Sequence, residues 1–339
     1  MSITIDIIHL ETIKPYLDES KYKIDYKQSF EGAQDNSRMT VLYFDLGKQT
    51  SQEGEAPNYT TNPLLRKAIF YVINREKLLS DFNKKAPSEE TNTKKTVFYH
   101  KPIVTFLPDN IKIPSYMYSV YNDTTQHKTN YFEFIKDGYL QEAQDLWQQF
   151  KESTSLQTPL KLTLYYPTQD KAIDYQLLAT LIKAQIEGVF VNEINIDIKE
   201  LPNLTSNPMM GSLGNPQEKA EYNNCFKIDD LKYTPSNKPF FISLDKTQSI
   251  QLELSDSQKT YLTQAHINAD FSKPIKISDL ESGQGTTKNI IPNLIKQPFS
   301  QDKEECLLTI LQQLEKKCYQ EMRNIPLLRK INQITVVRK

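Results

Sequence analysis

Glycine is scarce in this chain, with nine in 339 residues. Phosphate-cradling loops and dinucleotide fingerprints need clustered glycines so that backbone N–H groups can approach an anion. No such motif is present, nor a nucleophile elbow or a zincin helix. Histidine is also rare. His9, His100, His127 and His266 stand far apart, and each reads as a surface or structurally satisfied residue, not as a base or metal ligand. Cys225, Cys306 and Cys318 form an odd set without a CxxC pair, which reads as buried or half-buried thiols. No catalytic residue, metal or cofactor is expected, and the chain does not read as an enzyme.

An excess of one charge is missing too. The 41 basic and 42 acidic residues nearly cancel and are interspersed, so no global field points to nucleic acid or an anionic membrane. The pairs Lys84–Lys85, Lys94–Lys95 and Lys316–Lys317 read as solvated helix or loop ends, and no nucleic-acid partner is expected. No uncharged apolar run approaches the roughly 18 residues that a bilayer span requires. At the start, Ile3, Ile5 and Ile7 alternate with Thr4 and Asp6, which is strand period and does not read as a signal peptide.

What the chain does have is core material. Hydrophobic residues reach 38%, with 19 Tyr and 15 Phe, enough to bury a core that disordered segments lack. Strand patterns fall at Ile3–Ile8, Lys23–Tyr26 and Met39–Leu46, followed by a polar loop from Gly47 to Thr61. Asn62 as N-cap and Pro63 as first helical residue predict a helix to about Asn74. Asn74 can then cap a second helix carrying Leu78, Leu79 and Phe82. After a connector at Val97–Leu107, Asp137–Ser153 reads as a helix with Leu140, Ala143, Leu146, Trp147 and Phe150 on one face.

The clearest unit is a βαβ crossover: strand Leu160–Tyr166, helix Asp170–Glu187, strand Val189–Glu200, with Gly188 expected at positive φ where the helix ends. Such a unit implies a parallel or mixed sheet. Residues 240–296 show only mixed short patterns. Ser300–Gln320 reads as a helix capped by Ser300, with Leu307, Ile310, Leu311, Leu314 and Cys318 facing inward. Ile325–Val337 closes the chain as one or two strands.

Chemistry-bearing clusters are few. Glu89–Glu90, Asp229–Asp230 and Glu304–Glu305 are neighbours in sequence, but adjacent helix positions do not face one another, so none makes a paired-carboxylate site alone. The tyrosines can line a cleft or fill a core.

The stretch Pro63-Leu-Leu-Arg66-Lys-Ala68-Ile69-Phe-Tyr71-Val-Ile73-Asn74-Arg75-Glu76-Lys77-Leu78 resembles a helix motif of family 5 extracellular solute-binding proteins, the oligopeptide-binding receptors of ABC importers; Asn74 stands where that family has Asp. Thr40-Val-Leu-Tyr43-Phe44, the Ala143–Trp147 helix, the βαβ unit and Asn324-Ile325-Pro326-Leu327 resemble further family elements in the same order. The resemblance implies an α/β, type II periplasmic-binding-protein-like fold with mixed sheets. It has two lobes: residues 1–110 plus 325–339 as an incomplete lobe I, and 111–324 as lobe II.

It also implies a peptide ligand in an interlobe cleft and delivery to an ABC permease in the membrane. The protein would be monomeric, outside the cytoplasm and anchored at the cell surface in its full-length form; this chain resembles the later part of such a receptor. Asp229, Asp230 and Tyr233, with Pro239 and Phe240 nearby, fall roughly where the family holds its ligand, although Asp-Asp-Leu-Lys-Tyr departs from the family pattern. Two alternatives stay open: a turn at Asp229–Asp230, and a surface interaction or adhesion lipoprotein that keeps the receptor fold without transport-linked binding.

Overall fold

The computed structural model describes residues 2–6, 14–18, 20–27, 38–44, 57–85, 100–102, 139–156, 159–167, 174–201, 223–232, 244, 247–267, 269–280, 289–298, 300–330 and 333–338. Strands β1 (Ser2–Asp6), β2 (Tyr22–Lys27) and β3 (Arg38–Phe44) lead into helices α1 (Pro63–Val72) and α2 (Arg75–Lys85). After β4 (His100–Pro102) come α3 (Leu140–Thr154), β5 (Leu160–Pro167), α4 (Tyr175–Val189), β6 (Ile194–Leu201) and β7 (Cys225–Lys232). Next are β8 (Ser249–Ile250), α5 (Asp256–Gln264), β9 (Ile275–Lys276), α6 (Ile277–Leu280) and α7 (Ile290–Lys296). The chain closes with α8 (Gln301–Glu321), β10 (Asn324–Lys330) and β11 (Gln333–Arg338).

The principal sheet has six strands in the order β4-β10-β3-β7-β5-β6. β5 runs parallel to both β6 and β7, whereas the β10–β4, β10–β3 and β3–β7 pairs are antiparallel, so the sheet is mixed. The fold class is therefore α/β, as the βαβ reading implied. A separate antiparallel sheet, β1-β11-β2, joins the two ends of the chain, and β8 pairs with β9.

The six-stranded sheet draws strands from both ends of the chain and from its middle. β3 and β10, placed by sequence in the first lobe, pair into the same sheet as β5, β6 and β7. The physical reason is edge satisfaction. β7 lies with one edge on β5 and the other on β3, and unpaired strand edges inside a packed body leave backbone groups unbonded.

Helix starts follow their caps. Asn62 accepts from Leu64 N and Asn74 from Lys77 N at 2.8 Å; Ser300 accepts from Lys303 N. α1 stops at Val72, short of the expected Asn74, because Ile73 turns extended. The Arg75 guanidinium then takes up carbonyls this break exposes, donating from Nη1 to Ile73 O at 2.9 Å and, at 3.4 Å, to Phe70 O.

α4 runs through Gly188 to Val189, and the left-handed residue is Asn192 at φ 61, not Gly188. Continuing the helix carries Phe190 into the core, where its ring lies 5.1 Å from Trp147, and Asn tolerates positive φ at the turn that follows. The return strand consequently begins at Ile194 instead of Val189. α3 begins at Leu140, which is exposed and not on the inner face. Its predecessor Tyr139 makes the contact, donating its backbone N–H to Tyr71 O at 3.0 Å.

Two apolar clusters lie on opposite faces of the sheet. Leu42 and Phe44 of β3, Leu162 and Leu164 of β5 and Phe226 and Ile228 of β7 pack under α1–α4. Met39 and Val41 of β3 point the other way, into a cluster with α5–α8. The described residues of 247–296, a stretch whose patterns are short, give that second cluster one or two residues at a time, including Leu252, Leu262, Phe271, Ile277 and Leu294. All three cysteines are buried thiols.

Candidate functional site

Strand alternation sends every second residue of a strand to one face, and register aligns those residues across strands. On the face opposite α1–α4, one line crosses five strands: Asn324, Tyr43, Lys227, Tyr165 and Lys199, each the register partner of the next. At its β6 end this face is open, and Lys161, Asn195, Asp197 and Lys199 are exposed. Toward β3 and β10 it closes: Tyr165 and Lys227 are buried and Asn324 is fully so.

Lys227 is the centre of this row. Its Nζ lies 2.8 Å from Asp229 Oδ2, two residues along the same strand face, and 5.4 Å from the centre of the Tyr43 ring. A buried ammonium with a carboxylate partner and a π-face beneath it is held in one place. Asp229 is the more accessible partner, with 37% of its side chain exposed against 5% for Lys227.

Asn324 differs from its neighbours. It is buried at 0% exposure, and among the described residues neither its Oδ1 nor its Nδ2 has a hydrogen-bond partner. Leaving such groups unmet costs about 1–3 kcal/mol each.

Of the residues singled out by sequence, Asp229 belongs to this row's surroundings, and it sits in a strand opposite Val41, not in a turn. Pairing with β3 holds the strand there, and the acid's charge meets Lys227. Asp230 follows in β7 opposite Thr40. Tyr233, Pro239 and Phe240 lie outside the described residues. Lys227, Tyr43, Tyr165 and Asn324 were not singled out for function. The alternation Cys225-Phe-Lys227-Ile-Asp229 hints that Lys227 and Asp229 share a face, but register with Asn324 depends on contacts roughly 180 to 280 residues apart in the chain, and no sequence pattern carries it.

The residues of the helix motif do something else. Arg66 is buried, donating from Nη1 to Thr60 O at 3.0 Å and Thr61 O at 2.7 Å, and from Nε and Nη2 to Glu321 O at the end of α8. Burial, with Arg323 nearby, lowers its pKa to about 10, so it stays cationic at neutral pH. Arg75 is fully buried and donates from Nε to Pro326 O at 2.7 Å, its guanidinium 4.6 Å from the Phe70 ring centre. Both arginines are staples between α1–α2 and the α8–β10 junction.

Among the described residues, no group of three or more His, Cys, Asp or Glu is placed to hold a metal ion, and no helix is long and apolar enough to cross a membrane. His266 sits at φ 54 in the turn after α5.

No family model and no curated protein matches the chain. Solved structures to which it is similar include NikA from Staphylococcus aureus in complex with Ni(L-His)2, at 13% identity and a TM-score of 0.40, covering 100% of this chain and 52% of that one. Another is the ABC transporter substrate-binding protein CtaP from Listeria monocytogenes, at 14% identity and TM-score 0.42, covering 99% and 50%. A third is Haemophilus influenzae OppA in complex with RPPGFSPFR, at 10% identity and TM-score 0.43, covering 96% and 47%. The chain thus spans about half the length of each of these structures.

Proposed function

We propose that this chain is the later part of a solute-binding receptor that takes up short peptides and presents them to an ABC permease. One observation carries the reading: two stretches that resemble the oligopeptide receptors separately, Arg66–Leu78 and Asn324–Leu327, meet in space. Arg75 of the first donates to Pro326 O of the second, and Arg66 closes on Glu321 O just before it. Residues about 250 positions apart that resemble one family and also bond to each other behave as one inherited unit, which a chance match of either stretch alone would not.

In this reading residues 1–110 plus 325–339 belong to an incomplete lobe I and residues 111–324 to lobe II. Hinge motion between them opens and closes the cleft. Asp229, Asp230 and Tyr233 stay ligand-side candidates, and the protein works as a monomer outside the cytoplasm, anchored at the cell surface in its full-length form.

Thermal unfolding in the presence of a short-peptide library tests this. A ligand that binds only the folded state stabilises it by about 2.7 kcal/mol at a hundred times its Kd, so a subset of peptides should raise Tm by several degrees. Uniform silence across the library would instead favour the surface interaction or adhesion protein that keeps this fold without binding peptides.

A further inference from the structure

β6 ends the six-stranded sheet: β5 lies on one side of it, and among the described residues no strand lies on the other. Alternation turns the N–H groups of Ile194, Ile196 and Ile198 to that outer side. The first is taken by Phe190 O at 3.2 Å, and the second by the Glu187 carboxylate of α4, whose Oε1 accepts from Ile196 N at 2.6 Å. Lys183, one turn earlier on α4, lies 3.6 Å from that same oxygen. Beyond Ile196 the edge is reachable: Ile198 is half-buried, and Asp197, Lys199 and Glu200 are exposed. A strand edge of this kind is a template for another extended segment unless something blunts it.

The order of charges along β6 says which segment fits. When two copies of β6 pair antiparallel about a twofold axis at Ile198, the outward N–H and C=O of Ile198 bond their own counterparts. Asp197 then falls opposite Lys199 of the second copy, and the symmetry makes that pair twice. Opposite charges facing across an antiparallel pair stabilise it, and like charges destabilise it. The same register sets Glu200 of the second copy opposite Ile196, the residue whose N–H Glu187 holds. Pairing there meets both an occupied donor and a second carboxylate.

We infer that the β6 edge is a self-complementary docking strand for a second copy of this chain, and that Glu187 keeps it closed. The device is independent of any ligand, and it gives the monomer of the receptor reading a structural cause.

Sedimentation velocity tests this, with Trp147 emission as the check on folding. Wild type should sediment as a monomer, and Glu187→Ala should self-associate at least about tenfold more tightly, as a dimer. Adding Asp197→Lys to Glu187→Ala sets lysine against lysine and should return the monomer. Adding Lys199→Asp as well restores opposite charges and should bring the dimer back. If Glu187→Ala does not fold, Glu187→Lys removes the same acceptor and carries the same expectation.

A Glu187→Ala protein as monomeric as wild type, a wild type that dimerises as tightly as Glu187→Ala, or a dimer indifferent to the charge changes would overturn the inference. None of these results touches peptide binding, which thermal unfolding with the peptide library reads separately.

Discussion

Arg66 and Arg75 bring two charges into the interior, and both donate to backbone carbonyls there. Removing Arg66 leaves the carbonyls of Thr60, Thr61 and Glu321 buried without it. Arg66→Met should therefore cost about 3 kcal/mol, at the level of one to two unmet buried groups, read as a lower urea midpoint at unchanged slope. A shift under about 1 kcal/mol would mean water replaces the guanidinium.

Asp270 offers a pH test at the same scale. Hydrogen bonds from Ser272 and Lys273 hold its carboxyl down to about 2. A carboxyl depressed on folding stabilises above its unfolded pKa of 3.8, and the contribution is lost as pH falls toward 2. The stability gap between wild type and Asp270→Ala should stay constant above that unfolded value and close as pH approaches 2. A gap that persists there would show that the loop packs through something other than the carboxylate.

At the scale of elements, caps and side-chain clamps decide where helices begin and what they touch. Asn62→Ala removes the acceptor for Leu64 N and should cost about 1 kcal/mol, measured by urea unfolding. Glu193, in the turn between α4 and β6, fastens α3 to that turn: its carboxylate takes both Lys151 Nζ, at 2.6 Å, and the Trp147 indole N–H. The Gln185 amide bonds Asn74 N and O at 2.8 and 3.1 Å, fastening α4 to the break between α1 and α2. The caps were legible in the sequence because an N-cap acts within three residues of itself. The clamps were not: Glu193 and Gln185 read as ordinary solvated positions until their partners, 46 and 111 residues away, are placed. Gly188 misled for the same reason. Its φ depends on whether Phe190 has a core to enter, and that core is built by Trp147 of another helix.

For the whole molecule, β3 is the member the two apolar clusters share, with Leu42 and Phe44 in one and Met39 and Val41 in the other. Each cluster carries its own reporter. Trp147, the chain's single tryptophan, lies in the first, and Cys306 and Cys318 in the second. Burial raises the Cys306 thiol to about 11, so alkylation near pH 8 needs unfolding as well as deprotonation. Because losing β3 opens both faces, Trp147 emission and alkylation of Cys306 and Cys318 should report one transition in urea, with midpoints agreeing within about 0.5 M. Well-separated midpoints would show that residues 247–321 unfold as an independent unit.

By itself the sequence determined whatever acts over a few residues: the caps at Asn62, Asn74 and Ser300, the inward stripes of α3 and α8, the βαβ order, and the burial of the thiols. Each follows from backbone periodicity or from a side chain meeting its own main chain. The tertiary structure alone decided that β3 and β10 join the βαβ strands in one sheet, that Arg66 and Arg75 staple the two family-like stretches together, and that Asn324, Tyr43, Lys227 and Tyr165 stand in line. Those outcomes depend on strand register between distant segments, which is set by burying whole faces at once and so has no local trace in the order of residues.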